Sequence, residues 1–392
     1  MRIIYITTSI EENDYIDFVK LWKKAPNPSN QNFHNKLIRS LAINNYVDVV
    51  SIRPFSKKLC KTPKLKADFK ETNNGLISWN YLAISGNRVI KYFSLNKQIK
   101  SLMKTIYNKD EEYVIFTDTI NPSCISLANK LSKMYSIPTI GICTDSPSNI
   151  TGTSKAYTVY LLSQASKCYG YITLTNELNM LFNPNSKPSL ILEGIVDETK
   201  KDKLSIGIDT PYFFFGGALL EKYGVYNLIE AYKMLNTTKV DLYLCGHSGN
   251  IDHLKEVIST NSNIHFLGTI PVKDVVEYES HALANINPRP YSEDFDRYSI
   301  PSKTIEYLAS GSPTISVKNT KLMKFFKEEA IWARSSEPED LCACLKLVLS
   351  LNKEERKTLG KNAKEKALSL FSLKATNTRI NNFLEGFKTR ID

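Results

Sequence analysis

The chain has 392 residues, a net charge of +11 and 42% hydrophobic residues. This length accommodates two domains with full cores, and the composition is that of a globular protein, which excludes a disordered or fibrous chain. No stretch approaches the roughly 18 consecutive apolar residues of a transmembrane helix, and no signal-peptide pattern follows the N-terminal strand-like run. The seven cysteines show no C-x-x-C spacing, which favours buried thiols in a reducing cytoplasm.

The first half of the chain alternates apolar runs of strand length with helical patterns. The predicted strands are RIIYITT (2–8), YVDVVSI (46–52), YVIFTD (113–118), PTIGICTD (138–145), YITLT (171–175) and SLILEGIVD (189–197). Helical patterns lie between them at 32–45, 122–135 and 154–169. Strands rich in β-branched and aromatic residues, separated by helices, predict a parallel sheet covered on both faces. We therefore predict a Rossmann-like domain over residues 1–197.

The positive charge is concentrated in residues 51–100, which carry 11 basic and 2 acidic residues. Five lysines of this stretch are candidates for a membrane-facing surface: Lys57, Lys58, Lys61, Lys64 and Lys66. Attraction to an anionic leaflet, binding of nucleic acid and a plain lysine-rich loop are all compatible with this composition. Because no nucleic-acid motif accompanies the charge, we rank a membrane surface ahead of nucleic acid and expect no nucleic-acid partner.

The second half repeats the strand–helix rhythm after a polar segment, 198–210, which we interpret as a linker. Its predicted strands are YFFFGGAL (212–219), VDLYLCG (240–246), IHFLG (264–268), ALANINPRP (282–290) and SPTISV (312–317). These indicate a second Rossmann-like domain over 211–370. A C-terminal helix over 371–392 is longer than this domain needs, and we expect it to cross back to the first domain.

The segment YSIPSKTIEYLASGSPTI (298–315) combines a helix start with charged residues. If Ser302 were the N-cap, a capping box would need Glu or Gln at position 305, but Glu306 is one residue too late. The start of a helix is an anion site, Lys303 adds positive charge there, and Glu306 could accept hydrogen bonds from vicinal hydroxyls. The alternative is an ordinary capped surface helix.

Two further features end at the carboxyl edge of predicted strands, where open α/β sheets bind ligands. Gly216 and Gly217 permit close backbone approach to a phosphate, and Lys222 follows in the turn. Arg289 follows the strand before the 298–315 segment. Together these residues predict a site for a nucleotide diphosphate attached to a sugar.

Three segments carry a family resemblance: GGALLEKYGVYNLIEAY, FLGTIPVKDVVEYESHALANINPRP and IPSKTIEYLASGSPTI. They resemble the donor half of the family 4 retaining glycosyltransferases, in the Pro-Ser-Lys motif subtype typical of polysaccharide-assembly enzymes. The likeness is specific over roughly 205–345 and only architectural over 1–190. It implies an α/β protein of the GT-B fold, in which two Rossmann-like domains place parallel sheets facing a central cleft.

The resemblance also assigns roles to the donor site. It implies that the helix start at Ser302, Lys303 and Thr304 holds the diphosphate, together with the glycine pair, and that Glu306 binds the ribose diol. Lys222, with Arg289, would neutralise the leaving group, and the backbone near Thr269 and Ile270 would meet the base.

The chain departs from the family pattern at two positions. Tyr298 stands where the first of two glutamates is usual, and Ala218 where an arginine is usual. Arg289 or Arg297 is a candidate replacement for the missing guanidinium. Asp294-Phe295-Asp296 matches a metal-binding signature of the other main glycosyltransferase fold, but its position within the second domain argues against that role. The five histidines show no metal-ligand spacing, so we expect no metal or other cofactor.

Catalytic candidates in the first domain follow strands. Asp145 could orient the attacking hydroxyl or the donor sugar, or it could cap the turn that follows it. Asp118 is open to the same two interpretations, and His34 could reach the cleft or be structural.

We therefore expect a retaining, metal-independent hexosyltransferase located in the cytoplasm, peripheral at the inner face of the cell membrane. The donor would be a nucleotide-diphosphate sugar such as a UDP-sugar, and the acceptor a lipid-linked saccharide or other cell-envelope polysaccharide precursor. Two alternatives stay open: a nucleotide-sugar epimerase of GT-B fold, and a non-catalytic partner subunit of a glycosyltransferase.

Overall fold

The computed structural model describes residues 1–23, 29–149, 154–199, 207–208 and 210–388. The chain divides into two compact units, Met1–Ile195 with Arg297–Ser299 and Leu373–Asp392, and Val196–Asp296 with Ile300–Ser372. Most of the predicted linker, 198–210, lies outside the described residues. Within the described ranges, no helix combines the length and the apolar character needed to cross a membrane.

The described residues form sixteen strands and fifteen α-helices, which are numbered in chain order. The strands are β1 Arg2–Thr7, β2 Tyr46–Ser51, β3 Lys64–Leu65, β4 Asp68–Thr72, β5 Ile77–Tyr81, β6 Ile84–Ser85, β7 Tyr113–Asp118, β8 Thr139–Cys143, β9 Gly170–Thr173, β10 Ser189–Ile191, β11 Tyr212–Gly216, β12 Asp241–Cys245, β13 Ile264–Gly268, β14 Ala284–Asn287, β15 Thr314–Val317 and β16 Ile331–Ala333. The helices are α1 Glu12–Lys20, α2 Ser29–Leu41, α3 Arg88–Ile106, α4 Pro122–Tyr135, α5 Lys155–Ala165, α6 Asn176–Phe182, α7 Val225–Lys233, α8 Ile251–Ile258, α9 Val272–His281, α10 Glu293–Asp296, α11 Ser302–Ser310, α12 Thr320–Met323, α13 Pro338–Ser350, α14 Lys353–Phe371 and α15 Leu373–Lys388.

The first unit is built on a sheet with the strand order β10-β9-β8-β7-β1-β2-β5-β4. All of its pairs are parallel except β4 with β5, which is antiparallel. Strands β1 and β7 are buried along almost their whole length, which explains their continuous apolar runs. The short antiparallel pair of β3 and β6 was not predicted from the sequence.

Helix α15 belongs to the first unit although it closes the chain. It packs on α2, where the hydroxyl of Ser40 donates to the carbonyl of Leu373 over 2.8 Å. The side-chain amide of Asn377 donates to the backbone carbonyl of Ser40, also over 2.8 Å. These bonds anchor the last helix where the first unit would otherwise leave the outer face of α2 exposed.

The second unit contains a fully parallel sheet in the order β13-β12-β11-β14-β15-β16. The chain builds outward from β11 through β12 to β13, then returns to place β14 on the other side of β11. The carboxyl ends of β11 and β14 therefore border the switch point at which such sheets bind ligands. The predicted α/β class, with two largely parallel sheets, is confirmed.

Candidate functional site

Backbone turns, rather than side chains, line the carboxyl edge of β11 and β12. The amide of Gly217 donates to the carbonyl of Cys245 over 2.9 Å, and the amide of Gly246 donates to that of Gly268 over 2.7 Å. Gly246 has φ +136°, and a Cβ atom there would overlap the carbonyl oxygen of Gly217. The two turns can lie this close only because position 246 has no side chain.

Tyr307 fixes helix α11 to this edge. Its buried phenol accepts from the amide of Gly216 over 2.8 Å and lies 3.1 Å from the carbonyl of the same residue. Burial raises the pKa of Tyr307, so the phenol stays protonated and can donate to that carbonyl. Helix α11 is consequently held beside the end of β11.

Helix α11 begins at Ser302, with Pro301 as the N-cap and no side-chain capping bond. Ser302 is therefore the exposed first helical residue rather than the N-cap considered from the sequence. The amide of Thr304 donates to the carbonyl of Pro301 over 3.0 Å. A helix start without a side-chain cap presents backbone N–H groups to an anion.

The side chain of Thr304 faces into the unit, so a contact between Thr304 and a diphosphate would have to come from its backbone. Thr304 is fully buried, and its hydroxyl accepts from the side-chain amide of Asn287 over 2.8 Å and lies 3.1 Å from the hydroxyl of Ser316. These bonds tie α11 to β14 and β15. Thr304 therefore positions the helix and offers no hydroxyl to a ligand.

Lys303 lies between two carboxylates. Its Nζ is 2.9 Å from Oε2 of Glu306 and 3.3 Å from Oε1 of Glu279, a side chain only 7% exposed. Burial disfavours the ammonium, but Glu306 and Glu279 outweigh that effect and raise the pKa of Lys303 well above its usual value. The positive charge of Lys303 is thus balanced by Glu306 and Glu279. Its ammonium group holds Glu306 in place.

Ile270, which follows β13, lies near Cys245 and Lys303. Burial raises the pKa of Cys245, while a hydrogen bond with the backbone of Ile270 and the charge of Lys303 oppose that shift. Ile270 is half-buried and Thr269 is exposed. The structure therefore brings the predicted base-contacting segment close to the Lys303 end of α11.

Arg289 is also paired. Its Nη2 lies 2.8 Å from Oδ1 of Asp296, a buried carboxylate whose Oδ2 accepts from the amide of Ser292 over 2.9 Å. This pair borders a small pocket between the ends of β14 and β15. The pocket is lined by Asn287, Arg289, Pro290, Tyr291, Asp296, Pro301, Ser316, Val317, Lys318 and Asn319.

The Asp294–Asp296 segment uses Asp296 to organise this loop, and the side chain of Asp294 lies outside the described residues. Across the part of the chain that the structure describes, no three His, Cys, Asp or Glu side chains are grouped so that they could hold a metal ion.

Lys222 is exposed in a single helical turn, Glu221–Tyr223, with its Nζ 5.1 Å from the centre of the Tyr223 ring. The turn ends at Gly224, which has φ +74° and packs closely against the carbonyl of Pro288. Since Pro288 directly precedes Arg289, the Lys222 turn lies beside the Arg289 segment.

Tyr298, which occupies the position of the usual first glutamate, belongs to the first unit. Its ring packs with the cluster that contains Leu178 and Phe182, and the guanidinium of Arg297 lies 5.3 Å from the ring centre. Tyr298 therefore has a packing role of its own.

In the first unit, Asp145 organises the turn after β8. Its Oδ1 accepts from the amide of Ser146 over 2.7 Å and from the side chain of Asn149 over 3.0 Å. Burial raises the pKa of Asp145 although both bonds favour the carboxylate. The turn-capping interpretation is therefore realised in the structure.

Asp118 and His34 form a buried group at the end of β7. Asn30 donates to Oδ2 of Asp118 over 3.1 Å, and Nε2 of His34 lies 3.7 Å from the same oxygen. The phenol of Tyr5 is 2.6 Å from Nδ1 of His34. Burial lowers the pKa of His34, although the charge of Asp118 acts in the opposite direction.

The five candidate lysines of the basic stretch are all exposed: Lys57, Lys58, Lys61, Lys64 and Lys66. Lys61 donates to the carbonyl of Lys20 over 2.8 Å, and Lys64 pairs with Ser85 across β3 and β6.

Comparison with protein families gives a match to the part of the chain that holds the donor-site candidates. Residues 196–366 match the family described as glycosyl transferases group 1. Apart from Arg297–Ser299, this segment lies within the second unit, and it contains every donor-site candidate. A search of curated proteins returned no match.

Solved structures extend the similarity to the whole chain. Sucrose-phosphate synthase from Thermosynechococcus elongatus is 14% identical with a TM-score of 0.69, and the match covers 100% of both chains. HepE from Anabaena in complex with UDP is 12% identical with a TM-score of 0.69, over 98% of this chain and 100% of that one. HepE has also been solved with UDP-glucose. A glycosyltransferase from Rickettsia africae is 13% identical with a TM-score of 0.68, over 98% of each chain. These likenesses confirm the GT-B fold class.

Three residues of the site were missed by sequence reasoning. Gly246 carried a signal, since it is the last residue of a predicted strand. Glu279 and Tyr307 carried none, because their partners Lys303 and Gly216 lie in other elements. Only the three-dimensional packing reveals such pairs.

Proposed function

We propose that the protein is a retaining, metal-independent glycosyltransferase that takes a hexose from a UDP-sugar. The observation that carries the proposal is the uncapped start of α11, a helix held to Gly216 through Tyr307, with Glu306 paired to Lys303 in the next turn. In this proposal the helix offers backbone N–H groups to an anion and a carboxylate to hydroxyl groups, near the switch point of a parallel sheet. The match of this segment to group 1 glycosyltransferases supports the same conclusion.

In the proposed complex the diphosphate lies on the N–H groups at Ser302 and near the Gly216–Gly217 turn. Glu306 accepts hydrogen bonds from the ribose hydroxyls, and the backbone at Thr269 and Ile270 meets the base. UDP and UDP-glucose complexes of the structurally similar HepE support a uridine donor.

The proposed chemistry is substitution on the same face of the sugar. The bond between the anomeric carbon and the diphosphate oxygen breaks, and the acceptor oxygen forms its bond to that carbon on the same face, while the hydroxyl proton passes to the departing diphosphate oxygen. Lys222 and Arg289 neutralise the leaving diphosphate, an electrostatic contribution that such sites supply strongly. Arg289 would act while remaining bound to Asp296.

The proposed acceptor is a lipid-linked saccharide or other cell-envelope polysaccharide precursor, reached at the cytoplasmic face of the membrane. Asp145 is proposed to orient its hydroxyl through the oxygen that does not cap the turn. The exposed lysines between 57 and 66 support attraction to anionic lipid.

The donor site is tested by titrating UDP in a calorimeter against the Glu306→Gln and Lys222→Ala variants. We expect each to weaken binding about tenfold or more, because each removes a charged hydrogen-bonding or ion-pairing partner. Glu230→Gln is the matched control: Glu230 also pairs with a lysine three residues away in the same unit, at 3.0 Å, and should leave binding unchanged. Unaltered affinity in both site variants would contradict the proposed donor site.

A further inference from the structure

The first two turns of α3 expose large apolar side chains to solvent. Val89, Ile90, Tyr92 and Phe93 are 65%, 56%, 57% and 66% exposed. The rings of Tyr92 and Phe93 contact each other, with 5.5 Å between their centres. Isolated exposed apolar residues are ordinary, but four within five positions form a continuous patch, which indicates an interaction surface. We call these four residues the apolar tip.

The same face of α3 becomes basic beyond the apolar tip. Lys97, Lys100 and Lys104 are exposed and lie four, seven and eleven residues after Phe93, so they follow it along one side of the helix. No acidic residue occurs between Glu71 and Asp110. The outer face of α3 is thus apolar at its start and positively charged along its remaining length.

The basic stretch of the preceding loop lies next to the apolar tip. The side chain of Lys57 covers Gly86, two residues before α3 begins, so closely that a Cβ atom at position 86 would overlap it. Lys64 pairs with Ser85 through β3 and β6. Exposed lysines therefore border the tip from the loop as well as from the helix.

We propose that the apolar tip of α3 inserts into an anionic lipid bilayer while the surrounding lysines contact the lipid phosphates. Apolar side chains at a helix end, ringed by lysines, match the boundary between acyl chains and headgroups. A nucleic acid would engage the lysines but leave Val89 and Ile90 without a role, so the lipid surface is favoured. The inference deepens the proposed function, on which it rests for the location at a membrane, by naming the element that enters it.

The test is sedimentation of the full-length protein with vesicles of phosphatidylcholine containing phosphatidylglycerol, and with vesicles of phosphatidylcholine alone. We expect the wild type to bind the anionic vesicles more strongly. The double variant Ile90→Ser, Phe93→Ser should lower partitioning about tenfold or more, because two large apolar side chains lose their burial. Lys57→Gln with Lys64→Gln should also lower it, by about fivefold for each lysine, with a loss that shrinks as salt is added.

Met180→Ser is the matched control, since Met180 is 64% exposed on α6 of the same unit, and it should partition like the wild type. Each variant is also titrated with UDP without vesicles. Lost partitioning with retained UDP binding supports the inference.

Three results would overturn it. The first is that the Ile90→Ser, Phe93→Ser variant partitions like the wild type. The second is that the wild type self-associates in solution through the tip and does not bind vesicles. The third is that the wild type binds single-stranded RNA in a tip-dependent way and ignores lipid. Because UDP binding is measured separately, failure of the lipid inference is distinguishable from failure of the donor site.

Discussion

The two units end their sheets in different ways. At the edge of the first unit, polar side chains bond to one another or to local backbone: Asp118 to Asn30, His34 to Tyr5 and Asp145 to Ser146. At the edge of the second unit, glycine turns lie beside α11, a helix whose start has no side-chain cap. A polar group that already has its partner gains little from a ligand, whereas backbone groups left at an edge need one. The difference favours the second unit as the donor-binding half.

Among the substitutions at the two sheet edges, one at Gly246 should change the stability of the protein most. Gly246→Ala places a methyl group onto the carbonyl of Gly217 in a backbone conformation that alanine disfavours. We expect a loss of about 3 kcal/mol or more in the free energy of unfolding, together with weakened UDP binding. Urea-induced unfolding and UDP calorimetry measure the two effects.

Gly268→Ala serves as the matched control, because Gly268 has φ +67° but no atom near its would-be Cβ. Only the backbone preference is then affected, and we expect a cost of about 1 kcal/mol. Equal costs at the two positions would show that the close approach of the two turns is not what Gly246 is needed for.

The sequence predicted the edge of the second unit better than the contacts within it. Gly216, Ser302 and Glu306 were recognisable because strand ends and helix starts leave local signatures. The pairing of Lys303 with Glu279 was not, since α9 and α11 are separated in sequence and either charge alone suggests a solvent-exposed role. The inward orientation of Thr304 escaped notice for the same reason: its partners Asn287 and Ser316 belong to other strands.

In the first unit, six strands of the sheet were predicted from their apolar runs, whereas β4 and β5 were not; β4 is a largely exposed edge strand without such a run. Strands β3 and β6 were also missed, because two-residue strands have no periodicity. The apolar tip was also missed. Val89, Ile90, Tyr92 and Phe93 would ordinarily indicate a buried face, and only their exposure in the fold shows otherwise.

Buried His34 should make the stability of the first unit sensitive to acid. Burial lowers the pKa of the folded histidine, so the unfolded chain takes up a proton near pH 6.5 while the folded chain resists it. The unfolded state then binds more protons, and stability falls as the pH drops below about 6.5, by no more than about 1.4 kcal/mol per pH unit. Unfolding in urea at several pH values should show this slope, and His34→Gln should flatten it.

Asp118→Asn tests the sign of that effect. The Asp118 carboxylate favours the protonated imidazole, so its removal should deepen the loss of stability in acid. A shallower slope in Asp118→Asn, or an unchanged slope in His34→Gln, would assign the acid sensitivity to other groups.

The smallest effect on stability is expected at Asp145, where a turn cap and an acceptor-orienting role can be separated. Asp145→Asn keeps an oxygen for the amide of Ser146 and the side chain of Asn149, so the free energy of unfolding should change by less than about 0.5 kcal/mol. Asp145→Ala removes both bonds and should cost about 1 kcal/mol.

If the carboxylate orients the acceptor, both variants should slow the release of UDP from UDP-glucose in the presence of lipid-linked saccharides by roughly a hundredfold, with UDP affinity unaltered. If Asp145→Asn released UDP at the wild-type rate, Asp145 would act only as a turn cap. The two sheet edges would then differ in function as they differ in hydrogen bonding.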